Sequence, residues 1–210
     1  MNHKKITSLL FDLGNVILDL DYSKTQTALD HLLTIDYDPF DKKSNAVFLK
    51  YGSGQISEEL FLNYLIKNAK AGTQAYDLIK AWNAMLLGIR QETFDLLYDL
   101  KRDYELYIFS NTNFTHIKWL KKYLKEQYDM QDWVPEIFKA AYYSHELGYR
   151  KPKPEGFLSI LNNEGLTPET VLFIDDHQDF VEAAKQLGLQ GLHKPEGDDL
   201  RTHLERINII

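Results

Sequence analysis

Four places in this chain hold residue types that could do chemistry. Asp12 follows the apolar run Leu9-Leu10-Phe11 and is followed by Leu13-Gly14. A carboxylate there either meets a ligand or simply begins a loop, and Gly14 lets the backbone after it turn sharply and come close to a ligand. Ser110 and Asn111 close the β-rich run Tyr104–Phe109. A hydroxyl and small polar groups opening directly into a helix suit an anion, while Thr112 or Asn113 acting only as an N-cap is the competing reading. Lys151 lies in Arg150-Lys151-Pro152-Lys153-Pro154, a loop pinned by two prolines and able to deliver a cation, although basic loops alone do not imply phosphate. Asp175 and Asp176 end the run Val171-Leu172-Phe173-Ile174. Two adjacent like charges at the end of an apolar strand are costly without a compensating cation, and a metal is the natural partner.

The elements that must position these residues follow from hydrophobic pattern. Uninterrupted apolar runs bounded by turns read as strands buried on both faces, as in a parallel sheet. In such α/β sheets the ligand crevice lies outside the carboxyl ends of the strands, where all four groups fall. From residue 89 onward helical and strand patterns alternate: a helix over Thr93–Leu100, a strand to Phe109, a helix through Phe114 and Leu124, and a short strand at Ala140–Tyr143. A helix around Phe157–Leu161, the strand at 170–174, a helix ending at Gly188, a strand near Leu189–His193 and a polar tail complete the chain. Residues 17–88 differ. Helical patterns begin at Ser23, at the N-cap Ser57 and near Thr73, the last carrying Tyr76, Trp82 and Leu86 to Gly88, and Asp38-Pro39 breaks the first. Helices with no strand between them predict a separate unit inserted after the first strand, with its aromatic residues as core. Asp19 and Asp21 at its entrance read as solvated or capping groups that could face the cleft.

Composition narrows the class. The chain has 210 residues, 44% hydrophobic, with a formal charge of −7. That size supports one or two compact domains, and the acidic balance argues against nucleic acid as a partner. Absence of cysteine excludes disulfides and thiolate metal sites, which favours hard cations such as Mg²⁺ over Zn²⁺, though seven histidines are present. Asp12 interrupts the first apolar stretch too early for a signal segment, and no apolar run approaches roughly 18 residues. A cytoplasmic protein with no membrane partner is expected.

The four motifs, in this order, resemble the haloacid dehalogenase superfamily of Mg²⁺-dependent phosphohydrolases: Phe11-Asp12-Leu13-Gly14-Asn15-Val16, Ser110-Asn111, Lys151-Pro152 and Phe173-Ile174-Asp175-Asp176. The resemblance covers nearly the whole chain. It implies an α/β, Rossmann-like parallel sheet with helices on both faces, built from 1–16 and 89–210, and a small helical cap domain at 17–88. Gly52-Ser53-Gly54-Gln55-Ile56 and Ala81-Trp82-Asn83-Ala84-Met85-Leu86 resemble the sugar-phosphate phosphatase branch. The implied substrate is a small phosphorylated metabolite. In the roles so implied, Asp12 attacks phosphorus to give an aspartyl-phosphate. Mg²⁺ is held by the Asp12 side chain, the Gly14 carbonyl and Asp176, with Asp175 direct or through water. Ser110 and the Asn111 amide hold phosphoryl oxygens, and Lys151 offsets charge on nucleophile and phosphate.

Two positions depart from the family pattern. Most of its phosphatases carry a second Asp two residues after the nucleophile, as acid and base for the leaving alcohol and water; here that residue is Gly14, as in the sugar-phosphate branch. Losing such a group slows ordinary ester hydrolysis by about 10²- to 10⁴-fold. Phe180 stands where an Asn or Asp usually orients the lysine or the metal shell. A 2-haloacid dehalogenase, whose leaving halide needs no proton, and a catalytically silent binding protein are therefore the alternatives.

Overall fold

The computed structural model describes residues 5–35 and 46–210; the break expected at Asp38-Pro39 lies outside the described residues. In chain order the elements are β1 (Ser8–Phe11), β2 (Asp19–Leu20), α1 (Tyr22–Leu32), α2 (Ala46–Gly52), α3 (Glu58–Lys67), α4 (Ala75–Trp82), β3 (Leu86–Gly88), α5 (Gln91–Leu100) and β4 (Glu105–Ser110). Then come α6 (Phe114–Tyr128), α7 (Trp133–Glu136), β5 (Ala140–Tyr143), α8 (Ser144–Leu147), α9 (Pro154–Glu164), β6 (Val171–Asp175), α10 (Gln178–Gln186), β7 (Gln190–His193) and α11 (Leu200–Arg206).

Five strands form one parallel sheet in the order β5-β4-β1-β6-β7, with Leu10 of β1 in register with Tyr107 on one side and Phe173 on the other. The strand period of two explains the unbroken apolar runs. Leu9, Phe11, Leu172 and Ile174 enter a cluster completed by Phe94 and Leu97 of α5, Leu120 of α6 and Leu204 of α11. Leu10, Tyr107, Phe109 and Phe173 enter the opposite cluster with Phe157 and Ile160 of α9 and Ala184 of α10. Each such side chain contributes about 1.5–3 kcal/mol by leaving water. This is the α/β sheet with helices on both faces that the sequence predicts. The chain runs outward from β1 to β4 and β5, then returns to β6 on the other side of β1. That reversal opens a crevice at the carboxyl ends of β1 and β6.

The helices α1–α4 have a core of their own, including Leu29, Tyr51, Phe61, Leu65, Leu78 and Trp82. Tyr51 stacks on Phe61 with centroids 4.2 Å apart. Trp82 is buried as expected, but Tyr76 is 72% exposed. Three further differences from the sequence pattern have physical causes. The last inserted helix begins after Gln74, whose N–H bonds the Asp77 carboxylate at 3.1 Å, rather than after Thr73. It stops at Trp82, and Leu86–Gly88 instead pairs antiparallel with Asp19–Leu20, helped by a φ of +123° at Gly88 that no helix allows. The supposed polar tail contains α11, because Leu200 and Leu204, one turn apart, bury against the core.

Candidate active site

Strand ends place the chemical groups. Asp12 follows β1 directly, and its backbone N–H donates to the Ile174 carbonyl of β6 at 2.8 Å. Asp175 is the last residue of β6 and is fully buried. Lys151 comes from the loop between α8 and α9, and its Nζ donates to Asp12 Oδ1 and to Asp175 Oδ2, each at 2.6 Å. Its main chain is fixed from β4: the Asn111 side-chain amide donates to the Lys151 carbonyl at 3.0 Å and accepts from its N–H at 2.9 Å. Three rings surround the ammonium, those of Phe109, Phe173 and Phe180 at 5.5, 5.3 and 5.5 Å. Phe180 thus replaces a polar orienting group with a ring face that a cation favours.

Burial disfavours a charged lysine, but Asp12 and Asp175 outweigh it and hold the Lys151 pKa above its ordinary value. Burial pushes the Asp12 carboxyl up, against Lys151 and with the Asp175 charge. Asp176 is pushed up by burial and then by the charge of Asp12, with its Asn15 hydrogen bond opposing. Asp12, Asp175 and Asp176 each offer an oxygen within 4.8 Å of the others. Three carboxylates against one ammonium leave an excess of negative charge on hard oxygen donors. That donor set fits Mg²⁺.

Gly14 and Asn15 form the adjoining turn. Asn15 has a φ of +52°, a left-handed conformation that asparagine tolerates better than most residues. Its Nδ2 donates to Asp176 Oδ2 at 3.1 Å, its Oδ1 accepts from Leu20 N at 3.2 Å, and its carbonyl accepts from the buried Lys194 Nζ at 2.5 Å. A Cβ on Gly14 would meet only the Leu20 side chain closely, at 2.6 Å, with Asp12 Oδ2 at 3.8 Å.

A cavity of about 370 Å³ brings Asp12, Gly14, Ser110, Asn111, Lys151 and Asp176 together, while Asp175 stands behind Lys151 outside its lining. Phe180 lines it too, and Tyr22, Phe48 and Trp82 reach it from the inserted helices. Both readings of the Ser110–Asn113 stretch have support: Ser110 and Asn111 line the cavity, and Asn113 caps α6 by accepting from His116 N at 3.1 Å. Asp19 pairs with Arg90 at 3.1 Å, and Asp21 accepts from Ser23 N at 3.0 Å as the cap of α1, so both are structural. Sequence reasoning missed Asn15, Lys194, Arg150 and His116. Asn15 carried a signal, a polar residue between Gly14 and Val16 in a tight turn; Lys194 carried none.

Sheet order and an acid–lysine cluster at the point of strand reversal define a doubly wound α/β enzyme. Residues 6–188 match the haloacid dehalogenase-like hydrolases, and the chain belongs to that family. It is similar to a D-ribitol-5-phosphate phosphatase of Bacteroides thetaiotaomicron, 27% identical over 95% of this chain and 97% of the relative. Among solved structures, a haloacid dehalogenase family enzyme of Bacteroides thetaiotaomicron in complex with magnesium superposes with a TM-score of 0.85 at 30% identity, covering 97% of this chain and all of that one. A haloacid dehalogenase-like hydrolase of Porphyromonas gingivalis gives 0.86 at 27% identity, over 97% and 98% of the two chains.

Proposed function

We propose that this hydrolase is an Mg²⁺-dependent phosphatase of a small phosphorylated metabolite related to sugar phosphates, acting through an aspartyl-phosphate on Asp12. The observation that carries the reading is Lys151 bridging Asp12 and Asp175 in a cavity that also holds Asp176 and Ser110. A lysine so placed lets an anionic nucleophile approach an anionic phosphoryl group, and the carboxylates of Asp175 and Asp176 beside it carry metal-binding charge that a metal-free halide displacement does not require. The similarity to a polyol-phosphate phosphatase over nearly the whole chain supports hydrolysis of the phosphate ester of a small metabolite.

In this reading the free Asp12 oxygen forms a bond to phosphorus as the ester P–O bond breaks, and the departing alkoxide takes a proton. Water then cleaves the acyl phosphate, releasing inorganic phosphate and restoring the carboxylate. Ser110 and the Asn111 N–H hold the non-bridging oxygens. Mg²⁺ would be held by Asp12, the Gly14 carbonyl and Asp176. Both Asp175 oxygens are engaged, by Lys151 and by His177 N at 2.8 Å, which suits contact through water. When bound, Mg²⁺ supplies positive charge to the phosphoryl oxygens. Gly14 brings no acid. His177, on the cavity wall with its side chain 57% exposed, is placed to pass the proton directly or through water. Residues 17–88 act as a cap over the core formed by 1–16 and 89–210, closing the cavity against water.

Incubation with sugar phosphates, polyol phosphates and p-nitrophenyl phosphate, with and without Mg²⁺, tests the proposal. Metal-dependent phosphate release is expected; halide release from 2-haloacids, or no release from any ester, overturns it.

A further inference from the structure

Among the described residues, the cation next to Lys151 has no carboxylate partner, and the group that acts on it is the Tyr22 phenol. Arg150 lines the same cavity and is partly buried. Among the described residues, no carboxylate lies within ion-pair distance of its guanidinium, and no side-chain or backbone acceptor bonds it. Other cations around the site are engaged: Lys151 by Asp12 and Asp175, Lys194 by the Asn15 carbonyl, Arg90 by Asp19. A guanidinium held partly out of water on a cavity wall, with no counter-charge among the described residues, points to a ligand group that completes it.

Its position says which part of the ligand. Lys151 Nζ reaches toward Asp12, whereas the Arg150 guanidinium lies against Gly52 at the end of α2, where a Cβ would overlap Nη1. Gly52 is itself held, since Ser144 Oγ donates to its carbonyl at 2.5 Å. The guanidinium therefore occupies the seam between the inserted helices and the core, against the end of α2, whereas the nucleophile stands at the end of β1. Its planar fork of donors matches an oxyanion, and a neutral hydroxyl would leave the charge uncompensated.

We infer that Arg150 binds a second oxyanion, a carboxylate or phosphate, on the part of the substrate that leaves, so that the preferred substrate class is a phosphorylated acid rather than a neutral polyol phosphate. The inference rests on the phosphatase reading for the first anchor alone, the phosphoryl group at Asp12.

Binding rather than turnover tests it. A pentitol phosphonate and the matching pentonate phosphonate, whose C–P bonds resist hydrolysis, are titrated calorimetrically into the native protein with Mg²⁺. The native protein is expected to prefer the pentonate by about 10- to 100-fold. Arg150→Met should reduce that preference to within about twofold, and Arg150→Lys should retain part of it. Gly52→Ala keeps the arginine but displaces it, and should lower the preference even if Arg150→Met fails to fold. Equal native affinity for both compounds, or no binding of either, overturns the inference. So does an Arg150→Met variant that loses both compounds and inorganic phosphate by one common factor, since the guanidinium would then serve the phosphoryl group. Phosphate release from p-nitrophenyl phosphate is followed separately. Its absence beside an intact, Arg150-dependent preference sinks the phosphatase reading and leaves this one standing.

Discussion

At the ends of β1 and β6, three carboxylates lie around one buried ammonium that bonds two of them, and their charge is incompletely balanced among the described residues. Where the inserted helices meet α6, several buried polar groups are instead neutral and paired with one another. Thr25 Oγ1 donates to the Trp82 carbonyl at 3.1 Å and accepts from Met85 N at 3.0 Å. Tyr51 Oη shares a hydrogen bond with Thr115 Oγ1 and accepts from Thr115 N at 3.0 Å, and Trp82 Nε1 donates to Asn113 Oδ1 at 3.3 Å. The first region is built to be completed by added ions; in the second, these groups find their partners within the protein. Its sensitive point is His116, whose Nε2 bonds the Trp82 carbonyl at 3.2 Å and whose pKa burial pushes down to about 4.

The largest effect is expected from Asp12→Asn, which keeps the shape of the charged region and removes its nucleophile. Phosphate release should fall to background while the circular dichroism spectrum is unchanged; surviving Mg²⁺-dependent release would show that another group attacks phosphorus.

Acid should separate the two regions by sign. A histidine held near 4 in the fold and near 6.5 when unfolded takes up protons preferentially in the unfolded chain, so stability falls as pH drops from about 6.5 toward 4, by about 3 kcal/mol for this shift. Asp12 and Asp176, with raised pKa values, do the reverse: their repulsion is relieved as pH falls through those values. Saturating Mg²⁺ keeps these carboxylates ionised, which leaves visible the losses at His116 and at His145, likewise lowered by burial. Thermal melts from pH 7 to 4.5 in Mg²⁺ should therefore slope downward, and less steeply in His116→Gln. An unchanged slope in that variant would assign the loss to another group, such as the neighbouring His145.

Within the charged region, Asp176→Ala should weaken Mg²⁺ binding about 10- to 100-fold, and Asp175→Ala less, because the Asp175 oxygens are already engaged by Lys151 and His177. Calorimetric titration giving the opposite order would exchange the two assignments.

The smallest effect concerns Gly14. Its φ is not in the left-handed region, and a side chain there displaces only the end of Leu20. Gly14→Asp should therefore fold and raise kcat/KM for esters with poor leaving groups by about tenfold, a fraction of what a well-placed acid gives. A plot of log kcat/KM against leaving-group pKa should be steep for the native protein and flatter for the variant. A shallow native slope would mean that His177 or a water already delivers the proton.

Strand-end chemistry was legible in the sequence because apolar runs end where their carboxylates begin. Asp12, Asp175 and Asp176 could be placed from that pattern, and the sheet with them. Lys151 was legible as a loop cation but not as the partner of two acids, because that pairing joins residues 139 and 24 positions apart. The main-chain clasp by Asn111 was hidden, since an asparagine after a strand looks the same whether its amide or its side chain is used. Phe180 looked like a defect by comparison with the family pattern; only the surrounding rings show what it contributes. Leu86 was misassigned because its apolar spacing fits a helix as well as it fits pairing with Leu20.

The contact between Lys194 and the Asn15 carbonyl spans 179 positions. A ribosome makes the nucleophile strand well before the lysine that braces the neighbouring turn. While the intervening residues are made, the acidic turn beside Asp12 waits without that brace, and only once Lys194 has emerged does the pocket acquire its final shape. A nascent hydrolase assembled in this order has its metal-binding turn locked after the rest of the sheet has been made.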